Sequence, residues 1–403
     1  MIEGGFMDFE KIKEACDRYV EARMEELWEI SAFLHGHPEL AFHEYEAMRC
    51  LSAFLEKEGF AIERGSGGLE TAFHATYTHR LGGKQIAILL EYDALPKLGH
   101  ACGHNLIACS GLGAAIALQK MVQDADLCGT IHVIGTPAEE DGGGKIIMLE
   151  NGVFADIDAV FLLHPTSATT RIAGECVSST EFQIEFFGKS AHAQSHAEDG
   201  INALDAATLF VTAMGLNGKQ IKNNTNYSCM IANGGISTGQ IPAYTKVLCN
   251  SNSLSLKDLH KVNEKIRNAA KGSAMATGCT CEIKEQDGYA GRIPNQILAD
   301  VCKGELAKLK EPVMDGMPYD LGGEDLGNVS RHIPICNLYV TIFRDHKISG
   351  HTDQFRELAI SEAGYRCIEV GSKAMARTAG ELFLHPELVE QAQAELKERL
   401  KNE

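Results

Sequence analysis

KQIAILLEYDALPKLGHACGHNLIACSGLGAAIALQKMV, residues 84–122, holds a strand, a polar loop and a helix in one run. IAILL reads as a buried strand, and it runs straight into the polar turn Glu91-Tyr92-Asp93. NLIACSGLGAAIALQKMV reads as a buried helix of small apolar residues. Between them lies GHACGHN, two histidines around a cysteine, with Gly103 free to bend the chain. The strand–loop–helix pattern then repeats. CGTIHVIGTP is a strand, GGGKIIMLENG a short helix and DAVFLLHP a strand, with TAFHATYT a further strand upstream. Strands alternating with helices predict an α/β layer with a largely parallel sheet. Residues 8–60 add two helices with apolar residues at three-to-four spacing, the second stopping at Gly59.

From about residue 178 the pattern changes. SSTEFQIEFFGKS, YSCMIANGG, YTKVLCNSNS and CTCEIKEQD read as strands. GINALDAATLFVTAMGLN and KDLHKVNEKIRNAAKGSAMATG read as helices. The order β-α-β-β-α-β is the ferredoxin-like motif. After Tyr289 the α/β pattern resumes, with helices at NQILADVCKGELAKLK, ELAISEAGYRCIEVGSKAMARTAGELF and PELVEQAQAELKERLKN. The sequence therefore predicts a small domain, residues 178–288, inserted into a larger α/β domain made of 1–177 and 289–403.

The 403 residues, 44% hydrophobic and 23% charged, suit a globular chain with more than one core. The sequence has no run of 18 apolar residues and no signal-peptide pattern at its start, so a cytoplasmic protein that does not span a membrane is expected. A net charge of −18 argues against nucleic acid or an anionic membrane as partner. The 13 cysteines are odd in number and scattered, which predicts free thiols in a reducing compartment rather than a disulfide framework.

Three apolar strands end in unusual polar residues: Glu91 and Asp93, then Glu139-Glu140-Asp141, then His164. Open parallel sheets bind ligands at the carboxyl ends of their strands, so these residues and the 99–105 loop are expected to meet in one crevice. Thiolate, imidazole and carboxylate together suit zinc, manganese or a similar divalent ion. Adjacent side chains diverge, so one of Glu139 and Glu140 can bind metal while the other serves as general base. Blander readings stay open at this point: a buried thiol beside a surface histidine, a core histidine at 164, a solvated acidic loop. A thiol nucleophile at Cys102 with a histidine base is also open, but gives the glutamates no role. EDGGGK lacks the spacing of a phosphate loop, and Gly111 and Gly113 are expected to permit close helix packing.

EYDALP, GHACGHN, TPAEEDGGGK and GHTDQF, in this order, resemble the dinuclear metallopeptidase–amidohydrolase family. That family includes aminoacylases, carboxypeptidase G, auxin-conjugate amidohydrolases and aminobenzoyl-glutamate hydrolases. The Cys-Gly-His form of the motif is similar to the branch with β-alanyl-lysine-type dipeptidases. The resemblance implies a zinc-exopeptidase-like, three-layer catalytic domain with an inserted lid and dimerisation domain, hence a homodimer. It implies two divalent ions, zinc or manganese, held by Cys102, His104, Glu140, His164 and His351, with Cys102 as bridge. It makes Glu139 the general base and gives Asp93 the task of orienting the site. His192, in GKSAHAQSHAEDG, would steady the developing oxyanion. The implied reaction is hydrolysis of an amide bond in a small N-acyl amino acid or dipeptide.

Three departures from the family pattern stand out, and the first two bear on the substrate. Gly239 and Asn252 stand where the family usually has an Asn and an Arg that hold a substrate carboxylate, and Gly323 replaces a usual Ser. They favour a substrate without a strongly held carboxylate, and with the acidic net charge a cationic one. They also leave a competing reading, a metal-bound but catalytically silent sensor or binding protein.

Overall fold

The computed structural model describes residues 9–221 and 224–402. The N-terminal stretch 1–8, part of the signal-peptide reading, lies outside them. The chain divides into two compact units. One runs up to Glu175 and adds Ile293–Asp320 and Glu324–Asn402; the other is Cys176–Arg292 with Leu321–Gly323.

The larger unit begins with α1 (Phe9–Gly36) and α2 (Tyr45–Lys57), then β1 (Ala61–Arg64), β2 (Phe73–His79), β3 (Lys84–Glu91), α3 (His104–Asp124), β4 (Gly129–Thr136), α4 (Gly144–Glu150), β5 (Ala159–Thr166) and β6 (Arg171–Ile172). The smaller unit holds β7 (Ser178–Phe187), α5 (Ala203–Asn217), β8 (Thr225–Asn233), β9 (Tyr244–Ser253), α6 (Leu256–Thr277) and β10 (Thr280–Asp287). The larger unit resumes with α7 (Gln296–Lys308), α8 (Leu326–Ser330), β11 (Ile335–Thr341), α9 (Asp353–Ala359), α10 (Glu362–Leu384) and α11 (Pro386–Asn402).

The sheet of the larger unit has the order β1-β2-β4-β3-β5-β11-β6. Its four central strands, β4, β3, β5 and β11, are parallel. Both faces are covered, which is why these strands read as continuous apolar runs. Ile86, Ile88 and Leu90 of β3 pack with α1, α3 and α10, while Ala87 and Leu89 pack on the opposite side with Met148 of α4 and Leu326 of α8. The result is three layers, helix on sheet on helix. α3 is apolar and long enough to cross a bilayer, but 89% of its apolar window is buried inside the unit. A side chain at Gly111 would collide with Leu90, and one at Gly113 with Ser372 of α10. Both glycines therefore serve close packing.

The smaller unit is a four-stranded antiparallel sheet, order β10-β7-β9-β8, with α5 and α6 on one face. This is the ferredoxin-like arrangement. Phe182, Ile184 and Phe186 alternate inward against Phe210 and Ile266, so the period of two fixes which face is covered.

The short β1, β6 and α8 are not expected from the sequence, and two further differences bear on the core. The long helix expected from ELAISEA onward is two, because Ser361 accepts from the N–H of Ala363 and starts α10 afresh. β11, which joins the parallel core, is a short run between loops and carried no helix-sized or hairpin signal.

Candidate metal centre

The loop after β3 delivers the first ligands. Gly103, φ +79°, turns the chain in the left-handed region just ahead of α3. A Cβ there would come 2.5 Å from Pro165 Cγ, so the bend also lets the loop approach the end of β5. Cys102 Sγ then sits 3.4 Å from His164 Nε2. His104 Nδ1 lies 3.0 Å from Asp93 Oδ1 and 2.9 Å from the Asp93 carbonyl oxygen. That places a ring proton on Nδ1 and turns Nε2 inward; burial works against a charged ring, but the Asp93 carboxylate outweighs it and raises His104 well above its ordinary value, so a cation would have to replace the Nε2 proton.

Around His104 Nε2 stand three carboxylates: Glu91 Oε2 at 3.7 Å, Glu140 Oε1 at 3.7 Å and Glu139 Oε2 at 3.8 Å. His351 Nε2 is 3.3 Å from Glu140 Oε2. His351 is itself left-handed, φ +60°, and its N–H donates to Ala101 carbonyl oxygen at 3.0 Å, which ties it back to the 99–105 loop. Three overlapping sets result, each with its donor atoms within 4.8 Å of one another: Cys102, His104 and His164; Cys102, Glu140 and His351; His104, Glu139 and Glu140. Cys102, His104 and Glu140 each belong to two of them.

The donors fit divalent cations. His104 Nε2 and Glu140 Oε1 are buried and have no hydrogen-bond partner, which is costly unless something else binds them. Burial pushes the Glu139 carboxyl well above the usual carboxylate range, and the Glu91 and Asp325 carboxylates add to it. Glu140 is also desolvated, but the hydrogen bond from His351 and the charge of His104 hold it below its ordinary value. Burial keeps the Cys102 thiol protonated and His164 neutral. A half-buried but desolvated thiol of that kind is a poor nucleophile by itself, and becomes a thiolate when a cation displaces its proton.

His164 is held by its own surroundings. Nδ1 lies 2.7 Å from the Pro165 carbonyl oxygen, and the ring stacks on Tyr339 at 5.1 Å between centroids. Arg171 lies on Tyr339 in turn, 4.1 Å from its centroid.

Sequence reasoning gave no role to a buried triad beneath the site. Lys145 is 2.7 Å from both Glu91 Oε1 and Asp325 Oδ1, and all three are almost wholly buried. Lys145 is the lysine of GGGK, so its task is to neutralise acids rather than to hold a phosphate. Only the strand-end acid Glu91 carried any local signal. In the smaller unit, His192 is exposed and its Nδ1 accepts from the N–H groups of Gln194 and Ser195 at 3.3 and 3.2 Å, which leaves Nε2 as the protonated nitrogen. Gly239 is exposed, and Asn252 is half-buried with Nδ2 3.4 Å from Asn250 Oδ1.

Residues 90–379 match the family model of peptidase family M20/M25/M40. The Xaa-Arg dipeptidase of Mus musculus is 34% identical over 413 residues, covering 98% of this chain and 94% of the mouse protein. A polypeptide of the p-aminobenzoyl-glutamate hydrolase of Escherichia coli K12 is 30% identical over 321 residues, covering 75% of this chain and 66% of its own. Among solved structures, a Bacillus subtilis protein described as a dinuclear metal-binding peptidase of the M20 family superposes with a TM-score of 0.73 at 24% identity, covering 90% of this chain and 99% of that one. That likeness shows the fold, and the match over most of the chain shows more: this protein belongs to the M20/M25/M40 peptidase family and is a metal-dependent hydrolase of amide bonds.

Proposed function

We propose that the protein is a two-cation dipeptidase in which Glu139 is the general base and Cys102, His104, Glu140, His164 and His351 hold the ions, zinc or manganese. The observation that carries this reading is the divergence of Glu139 and Glu140 from one turn. Glu140 reaches Cys102 and His351 in one donor set, while Glu139 shares only the set around His104. Two divalent cations, when bound, polarise the scissile carbonyl and make a water more acidic. Glu139 takes that water's proton and delivers it to the leaving amine. Asp93 holds the His104 ring in the tautomer a ligand needs. His192, with its proton on Nε2, is the proposed donor to the oxyanion, and the inserted unit the proposed homodimer contact.

For the substrate, we infer a dipeptide with a cationic C-terminal residue. The mouse relative, an Xaa-Arg dipeptidase by name, matches along almost the whole chain. The net charge of −18 draws cationic substrates. The test is a panel of dipeptides ending in arginine or lysine, N-acyl amino acids and aminobenzoyl-glutamate, offered to protein stripped by a chelator and refilled with zinc or manganese. The dipeptides should turn over fastest, with activity lost on stripping and restored on refilling. Activity that survives the chelator would point to the thiol nucleophile. No turnover with both ions bound would point to a silent binding protein.

A further inference from the structure

Ala138 adopts φ +59°, one residue before the Glu139–Glu140 pair. A left-handed alanine costs on the order of 1 kcal/mol and persists only where its surroundings hold it. Its N–H donates to Glu44 Oε1 at 2.9 Å, and the N–H of Glu140 donates to Asp93 Oδ2 at 2.9 Å. Two buried carboxylates thus grip the peptide groups on either side of Glu139. Glu44 is fully buried, with Oε2 lacking any hydrogen-bond partner. Its place ahead of α2 does not explain it, because its side chain makes no capping bond there. Glu39 does that work instead, accepting from the N–H groups of Glu46 and Ala47 at 2.9 Å. An acid buried in this way is unfavourable for the fold alone.

We propose that Glu44 is a positioning residue, which fixes the strained turn at Ala138 and so aims Glu139 and Glu140 at the metal centre. This rests on the roles given to those two residues above. Glu44→Leu and Glu44→Ala remove the acceptor, and Glu44→Gln keeps an oxygen for the Ala138 N–H. Zinc affinity by chelator competition, kcat, KM and thermal midpoint are measured on all three, with Glu139→Gln alongside. Folded Glu44→Leu or Glu44→Ala should bind zinc 10- to 100-fold more weakly and lose kcat more than KM, and Glu44→Gln should recover most of the loss. Two acceptor-free variants guard against one failing to fold. Zinc affinity and kcat within twofold of the parent in either folded variant overturns the proposal, even where the thermal midpoint falls. If Glu139→Gln is itself active, the underlying reading has failed; if it is dead while the Glu44 variants are normal, only Glu44's role has.

In the smaller unit, Cys229 of β8 lies directly opposite Cys249 of β9, with the sulfurs 2.9 Å apart and both thiols free. Cys249 is buried and Cys229 half-buried on the outer strand of the sheet, so Cys229 is the more accessible of the two sulfurs. We infer that the pair is a dithiol site that a small disulfide closes. The Cys229 thiolate attacks the disulfide and expels one small thiol. Cys249 then attacks the Cys229 sulfur and expels the second, so two protein thiols are oxidised and one disulfide is reduced to two thiols. The test is oxidised glutathione followed by non-reducing peptide mapping, with exposed Cys128 as the control that the reagent reacts. A linked Cys229–Cys249 peptide, 2 Da lighter than its thiols and absent from Cys229→Ser, is expected. Glutathionylated Cys128 without that linked peptide overturns the inference.

Discussion

Asp93 and His104 are joined twice at one nitrogen, Nδ1 lying 3.0 Å from the carboxylate and 2.9 Å from the carbonyl oxygen of the same aspartate. The other Asp93 oxygen accepts the N–H of Glu140, so one residue orients two of the proposed ligands. Asp93→Asn keeps the shape but puts an N–H₂ where a donor already points. Cation affinity should fall 10- to 100-fold while the fold survives, as read by chelator competition and circular dichroism.

Cys102 appears in two donor sets. Cys102→Ala should therefore drop the metal content, by elemental analysis, from two ions per chain to one or none. Full occupancy in that variant would remove Cys102 from the ligand set.

Gly103→Ala combines a left-handed backbone, φ +79°, with a Cβ placed 2.5 Å from Pro165 Cγ. The strain should lower stability by about 1–3 kcal/mol in urea unfolding. Activity should fall further than stability, because the clash moves the 102–104 loop against His164.

A pH dependence of stability follows from a histidine pair away from the metal centre. His132 Nδ1 is 2.8 Å from His74 Nε2, and its Nε2 is 2.7 Å from Gln85 Oε1. Burial, with His74 adding to it, pushes His132 down to about 4, and burial lowers His74 as well. The unfolded histidines take up protons near pH 6.5 and the folded ones resist. Their contribution is therefore intact above pH 6.5 and is lost as pH falls from there to about 4. His132 alone accounts for about 3 kcal/mol of that loss. Urea midpoints across this range should show the slope, and His132→Gln should flatten it.

Much of the site was legible because its signals are local. GHACGHN, Glu139–Glu140 and His164 each follow a run of buried strand, and the rule that ligands gather at carboxyl ends of parallel strands brings them together. The inserted unit was legible because its strands alternate with period two and its helices do not. His351 was different: a lone histidine in a loop, placed only by the family resemblance and held in the structure by its tie to Ala101. Lys145 and Glu44 gave no signal, since each finds its partners far along the chain. Lys145 reads as the tail of a glycine loop until Asp325 stands beside it, and Glu44 reads as the start of an amphipathic helix. The break before α10 was missed because Ser361 interrupts the apolar pattern without glycine or proline.

In the proposed reaction Glu139 moves the proton while its neighbour holds metal. Glu139→Gln, loaded with zinc or manganese and assayed on an arginine-terminated dipeptide, tests it most directly. Metal content equal to the parent with turnover reduced at least 100-fold is the predicted result. Turnover retained at full metal content would contradict it.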